Sequence, residues 1–97
     1  MSSHDGARAW TFLTNHAQVL LCLAEDADIR LRDVAERVGI TERACQRILA
    51  ELVAAGYVKT AREGRRNRYT VDREHAMRHS AQVGYEIGAL LEALGSD

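Results

Sequence analysis

The sequence predicts a mainly α-helical domain with one small β-hairpin, and three observations carry that prediction. Apolar residues recur at helical spacing in segments punctuated by Gly39 and Gly56. Two strand-prone runs, Tyr57 to Arg62 and Asn67 to Val71, flank the turn Glu63-Gly64-Arg65-Arg66. From Ala76 onward, Ala76, Ser80, Val83, Ile87, Leu90 and Leu94 follow alternating steps of four and three, the seam of a helix that packs on another.

Taken in order, residues 1–9 are polar and are expected to be a flexible N-terminus. Asn15, with Gln18 three residues on, reads as a helix cap and its capping-box partner. The helix from His16 to about Ala24 is apolar on most sides, and Glu25-Asp26-Ala27-Asp28 breaks it. Trp10, Phe12 and Leu13 precede the cap and are expected to pack on the core or on a partner chain. Ile29-Arg30-Leu31 reads as a very short strand. A short helix follows, with Val34, Ala35 and Val38 inward and Arg32, Asp33, Glu36 and Arg37 outward.

Gly39 ends that helix, where glycine tolerates a left-handed backbone. Ile40 inserts an apolar anchor, and Thr41 caps the next helix with Glu42 in its first turn. Ala44, Cys45, Ile48, Leu49 and Leu52 share one face of it, and Gly56 stops it beyond about Ala55. After the hairpin, one long helix is expected from Asp72 to Leu94.

The chain's 97 residues, 46% hydrophobic and 28% charged with no proline, suffice for one core but not two. No run approaches the ~20 apolar residues of a membrane span, and the start is unlike a signal peptide. Cys22 and Cys45 are too isolated for a disulfide framework or a metal knuckle. A cytoplasmic protein is expected, with no membrane partner.

The formal net charge of −1 is unevenly spread. Residues 1–29 and 69–97 carry −3 each, whereas residues 30–68 carry +5. A basic middle between acidic ends presents one face to a polyanion and keeps another off it. Twelve of the thirteen basic residues are arginine, which suits bidentate contact with phosphate or guanine.

Two short helices joined at a glycine turn and followed by a basic hairpin resemble a winged helix-turn-helix. The resemblance rests on Leu31-Arg32-Asp33-Val34-Ala35-Glu36-Arg37-Val38-Gly39-Ile40-Thr41-Glu42-Arg43-Ala44 and on Leu52-Val53-Ala54-Ala55-Gly56-Tyr57-Val58. Residues 10–71 look like the DNA-binding domain of small bacterial transcription regulators of the MarR/ArsR type, with 72–97 as a C-terminal dimerisation helix.

The resemblance implies that the helix from Thr41 enters the major groove of double-stranded DNA. Arg43, Gln46 and Arg47 are then the base-edge candidates, since arginine matches guanine O6 and N7 and glutamine matches adenine N6 and N7. Thr41 is a phosphate candidate. Arg62, Arg65, Arg66, Asn67 and Arg68 form the wing, aimed at phosphates or a narrow minor groove. A solvated helix face and a charged hairpin tip guarding its strand edges show the same patterns. Arg30 and Arg32 are weaker candidates for backbone contact.

Trp10, Val83, Gly84, Ile87, Leu90, Leu91 and Leu94 are the dimerisation candidates, and a homodimer implies a palindromic operator. His75 and His79, one turn beyond Asp72, have the spacing of a metal pair, but a closed site needs more ligands. No metal and no cofactor are therefore expected. No phosphate loop or nucleophile–base–acid set occurs, so an enzyme is not expected. Two other readings stay open: a winged-helix module that holds another protein, and a metal- or redox-responsive ArsR-like sensor. A small-molecule effector is not legible.

Overall fold

The structure, a computed structural model of the chain, describes residues 10–82 and 84–95. Three helices come first: α1 (Asn15–Glu25), α2 (Leu31–Val38) and α3 (Glu42–Ala54). An antiparallel hairpin follows, β1 (Val58–Glu63) with β2 (Arg66–Val71). A 3-10 turn at Ser80–Gln82 and a short helix α4 (Ile87–Ala93) complete the described chain. This is the winged helix-turn-helix fold that the sequence predicts, with helix and hairpin bounds displaced by one or two residues. No helix among the described residues is long and apolar enough to cross a membrane.

The core forms where the apolar stripes of the first three helices meet. Val19, Leu20, Cys22 and Leu23 of α1 pack with Val34 and Ala35 of α2 and with Cys45, Ile48 and Leu52 of α3. Val58 and Tyr69 seal the base of the hairpin, and Ile87 and Leu91 of α4 close the cluster. Gly39, at φ 87°, ends α2 in the left-handed region, and its N–H donates to the Ala35 carbonyl. That sharp stop turns α3 across α2.

Three local expectations shift. Thr14, not Asn15, caps α1, its hydroxyl accepting from the Ala17 N–H at 3.2 Å. Ile29-Arg30-Leu31 forms no strand; Leu31 already opens α2, and a ladder-like bond nearby runs from Tyr69 N–H to the Ala27 carbonyl at 2.9 Å. The hairpin pairs Glu63 with Arg66, so its loop is only Gly64-Arg65. Gly64 has φ 63° and no other residue of the loop is left-handed, which fits a type II′ turn.

The larger correction concerns residues beyond Val71. The long helix expected from Asp72 to Leu94 does not form; α4 spans only seven residues. Chain 73–77 instead runs antiparallel to 85–88, with Met77 N–H donating to Tyr85, Ile87 N–H to His75 and Gly88 N–H to Arg73. A continuous helix would place Gly84 and Gly88 in its interior, at about 1 kcal/mol each relative to alanine. It would also forgo three tertiary contacts. The Tyr57 hydroxyl donates to the Ala76 carbonyl, His75 Nε2–H donates to Ala55 at 2.7 Å, and the His75 ring stacks on Tyr57 at 4.3 Å.

The seam of Ala76, Ser80, Val83, Ile87, Leu90 and Leu94 is consequently not a continuous helix face. Ile87 and Leu91 are buried in the chain's own core, and Leu90 packs against it. Gly88 lies against Arg73: a Cβ there would stand 2.6 Å from the Arg73 carbonyl oxygen. Its smallness serves that approach rather than a second helix. Val83 and residues 1–9 lie outside the described residues.

Candidate nucleic-acid interface

α3 divides along its length. Cys45, Ile48 and Leu52 are buried, which turns Glu42, Arg43, Gln46, Arg47 and Ala50 to solvent. Thr41 fixes the start of the helix, its hydroxyl oxygen accepting from the Ala44 N–H at 3.0 Å. Arg43 and Gln46 are exposed. Arg47 is exposed too, and its guanidinium lies 3.4 Å from Glu51 Oε2 one turn on.

The wing stands beside α3. Every residue from Lys59 to Arg68 is exposed, and the tip carries Arg62, Arg65, Arg66, Asn67 and Arg68. Arg62 Nε–H donates to the Gly64 carbonyl at 3.2 Å, bracing the turn. Arg66 donates to the backbone carbonyl of Asp28. Arg68 donates to both carboxylate oxygens of the same residue, at 3.0 and 3.2 Å.

Between helix and wing runs an open groove of about 430 Å³, bounded by Ile29, Arg30 and Leu31, by Glu42 and Gln46, and by Arg65, Arg66, Asn67 and Tyr69. The structure thus brings Gln46, the wing tip and the start of α2 around one concavity. Arg43 and Arg47 lie on the solvent face of α3 outside its lining, and Thr41 is at its capped end. Asp28 has no local sequence signal, since its partner Arg68 lies forty positions away.

The remaining candidates separate. Trp10 and Phe12 are 75% and 90% exposed and pack edge to face at 4.9 Å. Tyr85 and Leu94 are exposed, and so is Gly84. His75 and His79 do not sit on one helix: His75 is held at Ala55, while His79 Nδ1 accepts from the Ala81 N–H. The helical spacing behind a metal pair is therefore not realised. A second cavity, about 570 Å³, lies between α1, the end of α3 and the C-terminal segment, with Leu20, Leu52, Met77 and Ile87 beside His16, Glu51 and Arg78.

Comparison with known proteins matches residues 14–59 to a family described as winged helix-turn-helix DNA-binding. No curated protein matches the chain. Among solved structures, the PcaV transcriptional regulator from Streptomyces coelicolor, in complex with its natural ligand, superposes with a TM-score of 0.57 at 22% identity. The match covers 84% of this chain and 60% of PcaV, so the chain spans less than two thirds of that regulator. IscR of T. potens superposes with a TM-score of 0.60 at 19% identity, covering 92% of this chain and 91% of its own. The zinc-dependent MarR family regulator AdcR, in its Zn(II)-bound state, gives 0.48 at 21% identity over 71% of this chain and 48% of its own. At such identities PcaV and IscR share the fold. Residues 14–59, from the cap of α1 through the start of β1, are similar to the winged helix-turn-helix DNA-binding family whose model they match, over just under half of the chain.

Proposed function

We propose that the protein is a sequence-specific double-stranded DNA-binding transcription regulator that acts as a homodimer on a palindromic operator. The observation that carries this reading is the pairing of α3's open face with an arginine-rich wing across one groove. α3 enters the major groove, where Arg43, Gln46 and Arg47 meet base edges and Thr41 lies near a phosphate. Arg62, Arg65, Arg66, Asn67 and Arg68 place the wing on the backbone or in the minor groove. The protein does no chemistry; occupancy of the operator is the output. Among the described residues, Trp10, Gly84 and Leu94 are the dimerisation candidates left exposed, because Ile87 and Leu91 are spent inside one chain.

Fluorescence anisotropy tests the reading, with a labelled fragment from upstream of the protein's own gene, a scrambled duplex and two salt concentrations. Tight binding that prefers the native fragment and weakens steeply with salt is expected, since each phosphate contact releases counterion. Arg43→Ala and Gln46→Ala should each cost about 1–3 kcal/mol on the preferred fragment and little on the scrambled one. Absence of salt-dependent binding to either duplex sinks the reading in favour of a protein-holding module. Sedimentation velocity checks the dimer, which a single monomeric species across micromolar concentrations would exclude.

A further inference from the structure

Only Val58 on β1 and Tyr69 on β2 are buried; every residue between them is exposed. A two-stranded hairpin is marginal by itself in water. The wing tip therefore needs a brace to stay at a fixed distance from α3. Among the described residues, the hydrogen bonds and ion pairs that join residues 61–68 to the rest of the domain all end on Asp28.

We propose that Asp28, in the loop between α1 and α2, is a positioning residue for DNA binding: it holds Arg66 and Arg68 to the domain so that Arg65 and Asn67 face the nucleic acid. The inference rests on the DNA-binding reading above and divides the wing arginines by role. Asp28 engages two strand positions of β2 at once, Arg66 through its backbone carbonyl and Arg68 through its carboxylate. One residue earlier, the Ala27 carbonyl accepts the Tyr69 N–H at 2.9 Å. The loop thus meets β2 at three of its residues, Arg66, Arg68 and Tyr69, like a third strand reduced to two residues.

An exposed ion pair alone contributes little, yet here backbone and side-chain bonds converge on one loop. Arg65, at the tip, makes no bond to Asp28 and lines the groove with Asn67 and Gln46. Of Arg65, Arg66 and Arg68, it is the one whose guanidinium meets phosphate rather than Asp28. Arg68 acts through Asp28 on where that guanidinium stands.

The test measures affinity against salt for the full chain on the duplex preferred in the anisotropy experiment. Arg65→Ala should lower the slope of log K against log salt by about one, the loss of one phosphate contact. Arg68→Ala and Asp28→Asn should weaken binding by up to about fivefold, the ceiling for an exposed pair, with the slope unchanged. The double variant should be no weaker than either single, since both remove one contact. Asp28→Glu should restore part of the affinity.

A slope reduced by about one in Arg68→Ala, or tighter binding by Asp28→Asn, overturns the proposal. The first makes Arg68 a phosphate contact, and the second makes Asp28 a competitor of DNA. Amide hydrogen exchange without DNA separates this from failure of the DNA reading. Tyr69 N–H should exchange faster in Asp28→Asn and unchanged in Arg65→Ala. Equal protection in all three proteins rejects the brace, whether or not any duplex binds.

Discussion

His16 on α1 and Glu51 on α3, thirty-five positions apart, meet at 2.6 Å between Nε2 and Oε1. The other oxygen of Glu51 lies 3.4 Å from Arg47, so one carboxylate ties the first helix to a base-reading candidate. The hydrogen bond from His16, and secondarily the Arg47 guanidinium, hold Glu51 below the usual carboxylate range.

That depression sets a sign. A carboxyl whose folded pKa is lowered stabilises the fold above its unfolded value, and the contribution is lost as pH falls through the folded value. The unfolding midpoint in urea should therefore drop more steeply for the wild type than for Glu51→Gln once pH falls below about 4.3. Parallel profiles down to about pH 3 would show that the His16 contact does not hold in solution.

Gly88 is expected to be intolerant where Gly84 is not. A Cβ at 88 stands 2.6 Å from the Arg73 carbonyl oxygen, whereas a Cβ at 84 meets nothing within 4 Å. Gly88→Ala should cost about 1–3 kcal/mol through forced backbone movement. Gly84→Ala should stay within about 0.5 kcal/mol. Denaturant unfolding of the two variants checks this, and equal stabilities would dissolve the Arg73 contact.

Leu91 is fully buried and Leu94 is 47% exposed. Leu91→Ala should destabilise one chain by about 2–5 kcal/mol, as buried leucine truncations do. Leu94→Ser should leave unfolding at low protein concentration nearly unchanged and weaken self-association instead. A near-neutral Leu91→Ala would return α4 to the surface.

Both thiols should be inert in the folded protein. Burial pushes Cys22 and Cys45 upward, with Arg37 partly countering it at Cys22 and the neighbouring Cys22 adding to it at Cys45. The thiolate is the reactive form, so a disulfide-exchange reagent at about pH 8 should label neither until denaturant is added. Rapid labelling of Cys45 in the folded state would favour a redox-responsive regulator.

The helix-turn-helix was legible because its signals are local. Gly39 and Gly56 stand where helices stop, Thr41 caps α3, and Gly64 supplies the one left-handed residue of the turn. At the first cap, the capping-box spacing to Gln18 points to Asn15, whereas the hydroxyl of Thr14, one residue earlier, takes the role. The end of the chain departs from its sequence pattern for a different reason. Steps of three and four mark a helix face without saying what covers it or how far it extends. Tyr57 to Ala76 and His75 to Ala55 decide the matter, and both pairs lie about twenty positions apart. Within the site, the composition of the wing was legible, but the attachment of Arg68 to Asp28 spans forty residues and leaves no periodic trace.

α3 anchors the core through Cys45, Ile48 and Leu52 while Arg43, Gln46 and Arg47 stay in solvent. Substitutions on the outer side leave the packed side untouched, and exposed helix positions accept most residues at small cost. On the DNA-binding reading proposed above, duplicated copies of such a gene would drift to new operators one outward residue at a time, each intermediate still folded. The same separation makes those positions the place to diversify a library in search of altered target preference.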